Sequence, residues 1–138
     1  MNNLATFQIG NYVIFKKRIG KGAFSTIYKA YHKQSKETVA VKEISLDTLN
    51  KYESSLRRET EIMKNLNHPH IVKLFETIID EKTENVYLVM EYFERGDFSS
   101  FLRKRPLREK YAVKYLKQIA EGIKYLLEHK ILHRDLKP

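Results

Sequence analysis

A chain of 138 residues is long enough for one ordinary domain with its own core, and 42% hydrophobic with 31% charged residues marks it as globular, not disordered. It has no run of about 18 apolar residues, so no helix is expected to cross a membrane, and with no cysteine it has neither a disulfide framework nor a thiolate metal site. The net charge of +9 raises nucleic-acid binding, but the cations form only short clusters such as Lys16-Lys17-Arg18 and Arg103-Lys104-Arg105, without an aromatic-flanked stripe, so a solvated basic surface is the reading and nucleic acid is not the expected partner. Met1 to Gly10 lacks the basic start and apolar stretch of a secretory signal, and an intracellular, cytoplasmic protein is expected.

Residues 12 to 19 (YVIFKKRI) are β-branched and aromatic and read as a strand. Gly20-Lys21-Gly22-Ala23 turns the chain, residues 25 to 32 alternate again, and after the polar turn at 34 to 37 residues 38 to 44 (TVAVKEI) give a third strand. The period then changes. Leu49, Tyr52, Leu56, Glu59, Met63 and Leu66 recur at spacings of 3 and 4, one face of a helix, which Asn67-His68-Pro69 ends because the residue before proline is pushed out of the α region. Ile71 to Ile79 and Val86 to Tyr92 are two further strands. Phe98 to Lys104 is a short helix, and Glu109 to Glu128 a longer one whose expected buried face is Ala112, Leu116, Ile119, Ile123 and Leu126. The fold class is α+β: a five-stranded antiparallel sheet with one inserted helix, then the start of a helical lobe. The expected division is 1–10 as an N-terminal extension, 11–93 as the sheet lobe, and 94–138 as the beginning of the helical lobe.

Four features carry chemistry. Glycines in Gly20-Lys21-Gly22-Ala23-Phe24-Ser25 let backbone amides approach phosphate oxygens, because no Cβ intervenes. A dinucleotide fingerprint would need a third glycine and a helix directly after it; here Ser25 and a β-branched segment follow, and no Walker A lysine is present. Lys42 lies in a strand whose neighbours Val39 and Val41 are apolar, and Glu59 sits on the apolar stripe of the next helix, where a carboxylate is costly unless paired; Lys42 is its candidate partner. Finally, His133-Arg134-Asp135-Leu136-Lys137-Pro138 gathers groups suited to phosphoryl transfer: an aspartate that can accept a hydroxyl proton and a lysine that can neutralise phosphate charge.

In this order, and with the string Leu66-Asn67-His68-Pro69-His70-Ile71-Val72-Lys73-Leu74, these features resemble the serine/threonine protein kinases from about Asn11 to Pro138. Ile9-Gly10-Asn11-Tyr12 and Leu88-Val89-Met90-Glu91-Tyr92 look most like the autophagy-initiating kinases. The resemblance implies an ATP cofactor covered by Gly20 to Ser25, with Lys42 holding the α- and β-phosphates and paired with Glu59. It implies Asp135 as catalytic base and Lys137 at the γ-phosphate. Ile19, Ile27 and Ala40 would sandwich the adenine, Met90 would be the gatekeeper, the backbone of Glu91 and Phe93 the hinge, and Asp97 would lie near the ribose. The implied partner is a protein substrate with a serine or threonine.

The pattern departs from the family in two places. Ser25 replaces a third glycine, and the metal-binding asparagine expected five residues after Asp135, like Asp-Phe-Gly, is not among these 138 residues. Mg²⁺ is therefore expected for the family, but no metal ligand is assigned here. The expectation is that the isolated segment transfers phosphate poorly, with a non-catalytic nucleotide- or partner-binding module as the alternative. The apolar stripe of the helix at 109–128 is expected to lack cover, which implies self-association, partial disorder after Phe93, or a protein partner that covers it.

Overall fold

A computed structural model describes residues 5–51, 53–104, 106–133 and 136. The chain divides into two compact units, one built from residues up to Leu66 together with Lys73–Tyr92, the other from Asn67–Val72 together with residues from Phe93 onward.

The first unit is an antiparallel sheet of six strands: β1 (Thr6–Ile9), β2 (Tyr12–Lys21), β3 (Thr26–His32), β4 (Thr38–Ser45), β5 (Leu74–Asp80) and β6 (Asn85–Glu91), in the order β1-β2-β3-β4-β6-β5. Five of these match the expected strands. The sixth, β1, forms within the segment expected as an extension: Gly10 takes φ +52°, which glycine adopts without strain, and turns Thr6–Ile9 back against Tyr12–Phe15. One sheet face buries Ile14, Ala30, Val39, Val41, Tyr87 and Val89, with Phe7 of β1 packing edge-on against Tyr28 at 5.9 Å. The other buries Ile44, Leu74, Val86 and Leu88, with Met63 and Met90 packed against them.

Helix follows β4 as expected, described in two stretches, α1 (Leu46–Lys51) and α2 (Glu53–Asn65). The Ser45 hydroxyl starts α1 by accepting the Thr48 N–H at 3.2 Å. Met63 of α2 meets the sheet, as the 3-and-4 spacing requires. β5 begins at Leu74, not Ile71, because Asn67–Val72 packs within the second unit.

The second unit holds α3 (Phe98–Lys104) and α4 (Glu109–Glu128). Its packing corrects the expected face of α4. Leu126 is buried and Ala112 and Ile123 half-buried, but Leu116 is 63% and Ile119 44% exposed. The covered stripe is rotated by about one residue and runs through Tyr115, Gln118, Gly122 and Tyr125. Tyr115 packs against Phe98 at 5.4 Å, Tyr125 against His68 at 4.9 Å, and a Cβ on Gly122 would lie 3.2 Å from the His70 carbonyl oxygen. Aromatic rings and one glycine, which a count of aliphatic side chains overlooks, decide this face. α4 ends in a Schellman motif: Ile131 N–H donates to the Leu126 carbonyl and Lys130 N–H to that of Leu127, both at 2.9 Å, with Lys130 at φ +59°.

Candidate nucleotide site

Strand register assembles the first unit's site. Gly20 pairs with Ile27, Ile27 with Lys42, and Lys42 with Leu88, so one rung crosses four strands. Two residues along β4, Ala40 pairs with Met90, and Met90 with Leu74. Directly paired residues share a face, and so do residues two apart on a strand. Ile27, Ala40, Lys42 and Met90 therefore occupy one face, the same face on which Met63 of α2 packs. Val39 and Val41 point to the other face, into its core. Lys42 is half-buried among apolar neighbours.

The glycine turn closes the β2–β3 hairpin beside this rung. Gly22 N–H donates to the Ser25 carbonyl at 2.8 Å, so that amide is engaged within the turn. A Cβ on Gly22 would come within 2.9 Å of Ser25 Oγ, so a side chain there would need the Ser25 hydroxyl to rotate away. Lys21, Gly22 and Ala23 are exposed, Ile19 is 49% and Phe24 60% exposed, and Ser25 is half-buried.

Sequence reasoning missed the support behind the turn. A hollow of about 390 Å³ is lined by residues 21–26 with Glu43, Ser45 and Asn85. Glu43 Oε1 accepts hydrogen bonds from Asn85 Nδ2 at 3.1 Å and the Tyr87 hydroxyl at 3.2 Å. Burial, first, and then the Glu43 carboxylate push the Tyr28 phenol above its ordinary pKa. Burial likewise raises that of Tyr87, with hydrogen bonds from Thr83 and Asn85 pulling the other way. The one sequence signal for this cluster is that Glu43 alternates in step with buried Val39 and Val41.

At the end of β6, Met90 is half-buried against the Leu74 and Leu88 cluster. Glu91 is held twice: its N–H donates to the Lys73 carbonyl at 2.9 Å, and its Oε2 accepts the Lys73 N–H at 3.4 Å. The amide of Glu91 is thus committed.

In the second unit, Phe93 is 52% exposed and its carbonyl accepts the Gly96 N–H at 3.2 Å. Asp97 proves to be a helix cap: its Oδ1 accepts the Ser100 N–H at 2.6 Å, and chiefly that bond holds the carboxyl below the usual aspartate range. Asp135, Lys137 and the side chain of Glu59 lie outside the described residues. No group of three or more His, Cys, Asp or Glu side chains that could hold a metal ion occurs among the described residues.

Residues 13–138 match the protein kinase domain family model. The chain belongs to the protein kinase family. The sheet with α2 is the N-lobe of the kinase fold, and α3 and α4 begin its C-lobe. Among curated kinases, the chain is 38% identical over 138 residues to the serine/threonine-protein kinase atg1 of Dictyostelium discoideum, covering 95% of this chain and 20% of that protein. It is 41% identical over 128 residues to the human serine/threonine-protein kinase ULK3, covering 91% of this chain and 27% of that one. A crystal structure of Rad53 1-466 in complex with AMP-PNP superposes with a TM-score of 0.81 at 36% identity, over 93% of this chain and 33% of that chain. The chain thus spans about a fifth to a quarter of the length of these curated relatives. No described helix is long and apolar enough to cross a membrane.

Proposed function

We propose that the face carrying Ile27, Ala40, Lys42 and Met90 binds ATP, and that the chain forms the ATP-binding part of a serine/threonine protein kinase, which passes a γ-phosphoryl group to a protein hydroxyl. The observation that carries this reading is the rung Gly20–Ile27–Lys42–Leu88, which sets a lysine and a glycine turn on one apolar face.

Each residue then has a task. Ile19, Ile27 and Ala40 offer apolar surface to a planar base, and Met90 bounds its depth. Glu91 would contribute its carbonyl oxygen to the adenine edge, since its N–H is engaged by Lys73. Phe93 would contribute its N–H, since its carbonyl is engaged by Gly96. Amides of the turn from Gly20 to Ser25, other than that of Gly22, would face phosphate oxygens. The Lys42 ammonium would neutralise the α- and β-phosphates, with Glu59 fixing its position. By the family pattern, Asp135 takes the proton of the attacking hydroxyl, and Lys137 balances charge at the γ-phosphate. Asp97, as the cap of α3, has one oxygen already committed and would reach a ribose with the other.

The test is equilibrium binding of a fluorescent ATP analogue to the chain and to Lys42→Met. Saturable binding, competed by ATP and weakened about tenfold or more by the substitution, corresponding to roughly 1.4 kcal/mol or more, is expected. Binding that is indifferent to Lys42→Met, or no binding by the folded chain, would reject the assignment.

A further inference from the structure

Sequence motifs single out one lysine on the nucleotide face, Lys42, but strand register places a second one there. Lys29 pairs directly with Ala40 and lies two residues beyond Ile27 on β3, so it shares the face of Ile27, Ala40 and Lys42. It stands at the end of that face away from the glycine turn. β4 separates β3 from β6 in the sheet, yet the Lys29 ammonium reaches the end of β6. Its Nζ sits 4.9 Å from the centroid of the Tyr92 ring, inside the roughly 6 Å at which a cation is attracted to an aromatic face. The lysine chain therefore crosses β4 beside Ala40, whose single methyl group leaves room for it. Lys29 and Tyr92 are both half-buried, and both belong to the first unit.

Tyr92 matters through its neighbour. The Glu91 carbonyl carbon is bonded to the Tyr92 nitrogen, so the carbonyl oxygen turns with the planar peptide that joins the two residues. On one side of that peptide, Glu91 is fixed by its N–H bond to the Lys73 carbonyl at 2.9 Å. On the other, β6 ends at Glu91 and the strand ladder stops one residue short of Tyr92. There the contact with Lys29 takes over as a restraint.

We propose that Lys29 and Tyr92 are a positioning pair for base recognition: by clasping the Tyr92 ring, the lysine holds the Glu91 carbonyl oxygen where it accepts a hydrogen bond from the exocyclic amino group of adenine. The inference rests on the ATP reading above and adds to it a means of selecting an amino-bearing purine. A carbonyl oxygen that is free to turn away loses that bond, because hydrogen bonds weaken steeply with angle. Lys29 acts through Tyr92 and not on the phosphates, since its ammonium points to the end of β6 and not to the glycine turn.

The test is competition against a fluorescent ATP analogue on the whole chain, by ATP and by purine riboside triphosphate, which lacks only the exocyclic amino group. The unmodified chain should prefer ATP. Lys29→Met, which keeps an apolar chain but no charge, should shrink that preference about twofold to fivefold, the range for a cation over a partly exposed ring. Lys29→Arg should restore it, because a guanidinium also stacks on an aromatic face. Tyr92→Leu should reproduce the loss, and adding Lys29→Met to it should cost nothing more. The ratio of two ligands on one protein separates this role from others: a weakened fold or a lost phosphate contact would lower both affinities together. An equal loss for the two nucleotides, a preference indifferent to Lys29→Met, or no preference in the unmodified chain would overturn the pair while leaving ATP binding in place. No binding of the analogue by the folded, unmodified chain would instead reject the ATP reading, and the pair with it.

Discussion

Of the fifteen buried apolar residues among the described ones, fourteen lie in the sheet unit, and the helical unit contributes Leu126 alone. The exposed large apolar side chains divide the other way: nine of thirteen, including Val113, Leu116, Ile119 and Leu127, belong to the helical unit. The sheet unit fills both of its faces, one against β1 and the curl of the sheet, the other against α2. The helical unit is held by rings and polar contacts: Tyr115 on Phe98, Tyr125 on His68, and His70 on Glu121. The difference separates a unit with a filled core, which carries the proposed nucleotide face, from one whose apolar side chains are largely uncovered. A rigid register carries Ala40, Lys42 and Met90, whereas α4 presents an apolar side with little cover within its own unit.

Substitutions should expose this contrast. The largest effect is expected at Ile14, 0% exposed on β2 between β1 and β3. Ile14→Ala should cost about 2–5 kcal/mol in denaturant unfolding and weaken nucleotide binding through loss of the sheet. A smaller effect of opposite sign is expected at Thr77. Its Oγ1 is buried without a hydrogen-bond partner, and the residue sits opposite Leu88. Thr77→Val keeps the shape, removes the unsatisfied hydroxyl and should stabilise the sheet by about 1 kcal/mol, read as a higher denaturant midpoint. The smallest effect is expected at Leu116, 63% exposed on α4. Leu116→Gln should change stability by no more than about 0.5 kcal/mol. A cost at Leu116 comparable to that at Ile14 would erase the distinction between the units.

Much of the sheet was legible because β-branched runs and polar turns alternate cleanly from Tyr12 to Ile44, and the lysine within Val39–Ile44 stood out against its neighbours. β1 was not, because four residues carry too little periodicity and its strand character depends on pairing with Tyr12–Phe15. The rung from Gly20 to Leu88 was also beyond periodicity: β2 shifts register between Ile14 and Arg18 and again between Arg18 and Gly20, and no local pattern encodes such bulges. The face of α4 was misjudged by about one residue because Tyr115, Tyr125 and Gly122 outweigh Leu116 and Ile119 once a neighbouring segment arrives. Asp97 could be seen as punctuation before α3, but its bond to the Ser100 N–H is a tertiary detail of that turn.

The most direct test of the account is to map adenine nucleotide binding onto the chain by amide chemical-shift changes. The predicted result is that Gly20, Ile27, Ala40, Lys42 and Met90 move most, while Val39, Val41, Tyr87 and Val89, whose side chains fill the opposite core, move least. Shifts concentrated around Glu43, Asn85 and the hollow behind the turn, with the Ala40–Lys42 rung unmoved, would contradict it.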